Sequence, residues 1–201
     1  MIFLYSGTPG SGKSLHAVSD MLQLDRKGWP IIANFKLNRD SIRNPDRFFY
    51  FDNPDLKPSA LEGIASNYWR SLGVRVREDS ILLVIDECQL IFNARDWQKN
   101  SAWISFFTQH RKLGFRVVLI AQDRGMIDKQ IRSVLEYEYK HRKISNAGVF
   151  GVLSSIIVGS PFLYKKELAQ VRGAGKGANL GFKVAHYGRR VYRAYDTFKT
   201  W

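Results

Sequence analysis

The sequence predicts an α/β fold, a mainly parallel sheet flanked by helices, with a smaller β-rich part towards the C-terminal end. Three observations predict it. The runs Ile2–Tyr5, Ser80–Ile85 and Phe115–Ala121 are almost continuously apolar rather than alternating, the pattern of strands that helices cover on both faces. Segments with helical spacing lie between them, as in a sheet whose strands are joined by crossover helices. Each run also ends in polar or glycine residues, at Gly7, Asp86 and Gln122, and strand ends are where a parallel sheet places its chemistry.

A chain of 201 residues, 45% hydrophobic and 24% charged, suits one such domain with an appendage and not two full domains. The expected division is a core over residues 1–144 and a basic, partly β-stranded appendage over 145–201, packed on that core. The single cysteine, Cys88, excludes an internal disulfide and a cysteine-based zinc site, and reads as a small buried apolar side chain. No basic leader precedes Ile2–Tyr5, so this run is expected to be a core strand and not a signal peptide, with synthesis in the cytoplasm without export.

The first run leads straight into Gly7-Thr8-Pro9-Gly10-Ser11-Gly12-Lys13-Ser14, the pattern G-x-x-x-x-G-K-[ST]. This is a P-loop. Its glycines let the backbone curl with N–H groups turned inward, forming a cradle for the phosphates of a nucleotide. Lys13 is expected to reach the β- and γ-phosphates and Ser14 to ligate Mg²⁺. Leu15 to Leu22 then has helical spacing, which would bring phosphate to a helix N-terminus, and the helix is expected to end near Gly28.

Pro30–Phe35 and Arg47–Phe51 read as further strands, and Leu61–Val76 as containing a helix. The run Ser80–Ile85 ends in Asp86-Glu87, resembling a Walker B strand: Asp86 is expected to hold Mg²⁺ and Glu87 to polarise the attacking water. From Trp97 to Leu113 apolar residues recur at helical spacing, with Gly114 as a stop; the stripe reads as core. Arg111 at the end of this helix is a candidate for reaching a neighbouring subunit's nucleotide, with Arg124 and Arg132 as further candidates; a surface arginine at a helix C-terminus is the plainer alternative. Gln122, at the end of Phe115–Ala121, fits a sensor of the γ-phosphate or of the attacking water, as in P-loop ATPases with an extra strand between the P-loop and Walker B strands, a glutamine that caps the strand being the alternative. Residues 123–133 read as short and helical, and Val134–Tyr139 as one more strand.

The charge is unevenly placed. Residues 1–100 carry 13 Lys and Arg against 12 Asp and Glu, residues 101–201 carry 18 against 6, and the net charge is +13. Such a basic C-terminal half favours single-stranded DNA or an anionic membrane surface. The apolar stretch Gly148–Tyr164 is broken by glycines and Pro161 and reads as strands of the appendage; Arg172–Gly177 reads as a basic loop rather than a second phosphate loop.

GTPGSGKS, the strand ending IDE, the helix ending Gln109-His110-Arg111-Lys112-Leu113-Gly114, the strand ending Ala121-Gln122, and Tyr195-Asp196-Thr197 together resemble the ATPase domain of the zonular occludens toxin (Zot) family. The resemblance extends over nearly the whole chain. It implies a RecA-like P-loop ATPase, working as an oligomer at the inner face of a bacterial membrane, whose hydrolysis of Mg–ATP drives filamentous phage assembly and export of single-stranded DNA. Its partners would be further copies of itself and the membrane proteins of assembly or export. Family members carry a transmembrane helix after this domain, so the anchor is expected either beyond a truncation at Trp201 or on a separate polypeptide. Two other functions open on the same loop: a small-molecule or nucleotide kinase, and a nucleotide-gated scaffold with little turnover.

Overall fold

The computed structural model describes residues 1–93, 100–143, 162–170 and 179–195. Strands β1 (Ile2–Ser6), β2 (Ile31–Ala33), β3 (Phe48–Tyr50), β4 (Ile81–Ile85), β5 (Phe115–Ile120), β6 (Tyr137–Lys143), β7 (Phe162–Leu168) and β8 (Asn179–Ala185) form one sheet in the order β3-β2-β4-β5-β1-β6-β7-β8. The first six positions in that order are parallel, while β7 and β8 are antiparallel to their neighbours. The expected mainly parallel α/β fold is what forms. Beyond residue 144 the described strands continue this sheet at its edge instead of building a layer of their own.

Helix α1 (Lys13–Arg26) covers one face, and α2 (Pro58–Leu72) and α3 (Ser101–Leu113) cover the other. Because both faces are covered, every residue of β1 and β4 is buried. Each fully buried Leu or Ile of β4 stabilises the fold by about 1.5–3 kcal/mol relative to exposure. Alternate side chains go to the two faces. Leu83 and Ile85 meet Trp103, Phe106 and Phe107 of α3, whereas Leu82 and Val84 join Val18 and Met21 of α1 in the second cluster. The aromatic stripe of α3 is therefore core, as its one-sided spacing predicts. Gly114 ends α3 in the left-handed conformation, its N–H bonded to Arg111 O.

Two short helices complete the described chain, α4 (Lys129–Ser133), capped by the Asp128 carboxylate, and α5 (Arg189–Ala194). α5 lies on the α1 side, with Val191 and Ala194 buried in its cluster. β6 begins three residues later than the sequence predicts. Trp97, most of Gly148–Tyr164, Arg172–Gly177 and Asp196-Thr197 lie outside the described residues. Among the described residues no helix is long and apolar enough to cross a membrane.

β5 lies between β4 and β1, so one extra strand separates the P-loop strand from the acidic strand. The C-terminal ends of β1, β2, β4 and β5 all point to one edge. Gly7, Asn34, Asp86 and Gln122 are thereby gathered there, although up to 115 positions separate them in the sequence.

Candidate nucleotide site

The loop between β1 and α1 has a shape that its glycines permit. Gly7 and Gly12 hold φ of 142° and 90°, and a Cβ at Gly12 would stand 2.7 Å from Phe162 Cδ1. A Cβ at Gly7 would run into the His141 carbonyl oxygen. Strands β6 and β7 thus press on the back of the loop and set its curve. Lys13, buried at the start of α1, curls back so that Nζ donates to Gly7 O at 2.8 Å and Thr8 O at 3.1 Å. Burial lowers its pKa, and the Asp86 and Glu87 carboxylates oppose that shift.

Ser14 Oγ donates to Asp86 Oδ2 at 3.0 Å, joining the loop to the tip of β4. Burial raises the Asp86 pKa, while hydrogen bonds from the Glu87 N–H and from Ser14 hold it down. Glu87 follows in the left-handed region, φ 47° and ψ 44°, exposed and hydrogen-bonded by Gln89. A non-glycine residue in this region costs of order 1 kcal/mol, and such strain collects at functional sites. Gln122 is exposed at the end of β5, and its carbonyl accepts the Gly7 N–H at 3.2 Å. Lys13, Ser14, Asp86, Glu87 and Gln122 are thus brought to one edge.

Arg111 is not brought there. It lies at the opposite end of the sheet, 53% exposed, with Nη2 donating to Glu136 Oε2 at 2.5 Å, where Glu136 also accepts the Ile2 N–H. The reason is topological: α3 runs antiparallel to the strands, so its C-terminus falls at the edge away from the loop. Arg124 is on the loop side but engaged, with Glu138 at 3.3 Å and Ala169 O at 2.9 Å.

The residues present fit a Mg–triphosphate. Ser11 Oγ is buried within the loop without a hydrogen-bond partner, a Ser–Asp oxygen pair sits beside it, and a lysine amine stands at its mouth. Thr8, Pro9 and Gly10 are exposed at the rim, leaving the loop accessible.

Two features of the site carry no motif. Asn34, just past β2, clips the tip of β4: its Nδ2 donates to Asp86 O at 2.8 Å and its Oδ1 accepts the Asp86 N–H at 2.7 Å. A polar residue closing the neighbouring apolar run was the available signal. Asn34→Ala leaves both Asp86 backbone groups short of a partner, and urea denaturation is expected to show a loss of about 1–3 kcal/mol. The second feature is a pair of histidines beneath the loop. His16 Nδ1 and His141 Nε2 are 2.8 Å apart, and His141 Nδ1 donates to Tyr139 O at 2.9 Å, so His16 donates to His141. Tyr5, Tyr139 and Tyr164 pack around them. Burial lowers both histidine pKa values to about 3, with Arg116 and Lys166 adding to the shift of His16.

A sheet with this strand order and a phosphate loop opposite an acidic strand tip defines a P-loop NTPase fold. The chain belongs to the zonular occludens toxin (Zot) family, whose model matches residues 1–178. It is 30% identical over 207 residues to the Gene 1 protein of Enterobacteria phage M13 and 30% identical over 210 residues to that of Salmonella phage IKe. Each match covers 98% of this chain but 59% and 56% of the relative, so the chain spans little more than half of their length. Among solved structures, the N-terminal domain of zonular occludens toxin from Neisseria meningitidis superposes with a TM-score of 0.56 at 18% identity, covering 97% of this chain and 98% of that one. The genome packaging NTPase B204 from Sulfolobus turreted icosahedral virus 2, in complex with ATP-gammaS, superposes with a TM-score of 0.55 at 11% identity, covering 84% and 92%.

Proposed function

We propose that the protein is a Mg-dependent ATPase that powers filamentous phage assembly and export of single-stranded DNA at the inner membrane. The observation that carries the reading is the Ser14–Asp86 contact, which places the acidic strand tip against the phosphate loop. Lys13 and the loop N–H groups hold the triphosphate, Ser14 and Asp86 hold the metal ion, and Glu87 orients water for in-line attack on the γ-phosphorus. Bound there, Mg²⁺ would supply charge neutralisation of the phosphate oxygens. Gln122 reads the γ-phosphate from the end of β5. Arg111, remote from its own chain's loop, acts in this reading only across a subunit boundary, in a homo-oligomer. The Gene 1 relatives come from phages, and the basic C-terminal half suits DNA or an anionic membrane face.

The test is ATP turnover with Mg²⁺, alone and with single-stranded DNA, with anionic lipid vesicles, and with AMP as acceptor. The expected result is release of ADP and phosphate without an acceptor, raised severalfold by DNA or vesicles. ATP consumption that requires AMP would make it a kinase, and tight binding without turnover would make it a scaffold.

A further inference from the structure

The edge of the sheet opposite the nucleotide loop carries an apolar patch set among cations, and it comes from the first half of the chain, not from the basic C-terminal half. Gly73, left-handed at φ 61°, ends α2, and Val74-Arg75-Val76-Arg77 follows before β4 begins. Leu72, Val74 and Val76 are 43%, 56% and 44% exposed, three large apolar side chains within one short stretch, with Arg75 and Arg77 exposed among them. A single exposed apolar residue is ordinary, whereas a contiguous group rimmed by charge marks a contact surface. The stretch is braced at both ends. Trp69 Nε1 donates to Leu113 O at 2.9 Å, the Ser80 N–H to Gly114 O at 2.9 Å, and the Met1 amine to the Asp79 carboxylate at 2.8 Å. It also meets Trp29, which precedes β2: the Arg77 guanidinium carbon lies 5.6 Å from the centre of the half-buried Trp29 ring, and Lys27 Nζ lies 4.8 Å from it.

We propose that this edge, at the N-terminal ends of β2 and β4, docks on an anionic lipid bilayer. The proposal rests on the membrane location in the reading above and names the surface that meets the lipid. Charge complementarity selects the occupant. Lys27, Arg70, Arg75 and Arg77 outnumber Glu78 and Asp79 here, and the Asp79 carboxylate is already taken by the Met1 amine. Long cationic side chains reach phosphate headgroups while Leu72, Val74 and Val76 enter the boundary with the acyl chains, a depth that also suits an amphipathic tryptophan. Single-stranded DNA calls for open ring faces on which bases stack, but the exposed apolar residues here are aliphatic and the Trp29 ring already has two cations beside it. A second copy would bring another chain of net charge +13 against a cationic edge, like charge on like. Docked in this way, the domain turns its phosphate loop away from the bilayer and leaves it open to nucleotide.

The test is co-sedimentation of the 201-residue chain with vesicles of phosphatidylcholine alone and of phosphatidylcholine with phosphatidylglycerol, for wild type, Val74→Ser/Val76→Ser and Arg75→Gln/Arg77→Gln. Wild type is expected to bind the anionic vesicles and not the neutral ones. Each double variant is expected to bind them on the order of 10-fold more weakly, with its urea midpoint and its ATP turnover in the absence of lipid unchanged. Both variants binding the vesicles as wild type does would overturn the proposal and leave the membrane to the basic C-terminal half. With vesicle binding intact, loss of oligothymidylate binding in the arginine variant would assign the edge to DNA, and loss of self-association in the valine variant would assign it to a second copy; either overturns the proposal. Wild type that binds no anionic vesicles would bring down the proposal together with the membrane location, while ATP turnover, measured separately, decides the ATPase reading.

Discussion

Glu87→Gln is expected to lower ATP hydrolysis by at least about 100-fold while leaving ATP affinity within about threefold, the range over which a positioned base contributes. The exchange keeps the size of the side chain and its capacity to accept the Gln89 hydrogen bond, and removes only the charge and the basicity. Because Glu87 is exposed, its loss should leave the fold untouched; its backbone is held from the Asp86 side, where its N–H donates to Asp86 Oδ1 at 2.9 Å. A secondary effect has a definite sign. The Glu87 carboxylate helps keep Lys13 protonated against its burial, so the variant should move the lysine pKa further down without neutralising it, since Asp86 remains. Lys13→Ala is the contrast, because Lys13 both braces the loop through Gly7 O and Thr8 O and holds phosphate; there the loss should be in binding itself. Turnover by Glu87→Gln equal to that of wild type would take this residue out of the mechanism.

The elements that could be read in the sequence are those whose signal is local. β1, β4 and β5 are buried on both faces, so their runs are apolar whatever lies beside them, and the phosphate loop is dictated by backbone geometry that only its glycines allow. Asp86, Glu87 and Gln122 followed because parallel strands bring their ends together. β6 runs further along the chain than its apolar residues predict, because its outer half, Lys140-His141-Arg142-Lys143, looks like a solvated charge run. It is a strand because Lys140 pairs across the ladder with β7, where Glu167 takes it at 2.6 Å, while Tyr139 and His141 point the other way into the aromatic cluster. The place of Arg111 is not local either. Its distance from the loop depends on the direction of α3 relative to the sheet, which residue spacing does not carry. The Asn34–Asp86 and His16–His141 contacts join residues 52 and 125 positions apart, so no stretch of sequence taken alone marks them.

Acidification from pH 7.5 to 5.5 is expected to lower the unfolding free energy by about 3 kcal/mol, read from urea denaturation. His16 and His141 both have pKa values of about 3 in the folded chain against 6.5 for an unperturbed histidine. A depressed histidine pKa means that the unfolded chain binds protons first. Its contribution is therefore complete above pH 6.5 and is lost progressively as the pH falls from there towards 3, at about 1.4 kcal/mol per pH unit for each ring. The burial that produces the shift is geometric: the rings share a hydrogen bond under the phosphate loop, and a proton on His16 would face Arg116 and Lys166, while one on His141 would face His16 and Lys13. Asp20 and Asp86, whose pKa values are raised by burial, contribute with the opposite sign. His16→Gln does not titrate in this range and should remove about half of the drop. Since His16 belongs to the first turns of α1 and the His141 carbonyl backs Gly7, loosening the pair should also weaken ATP binding at pH 5.5. A stability profile flat over this interval, in wild type and variant alike, would mean that the two rings are hydrated and not sealed beneath the loop.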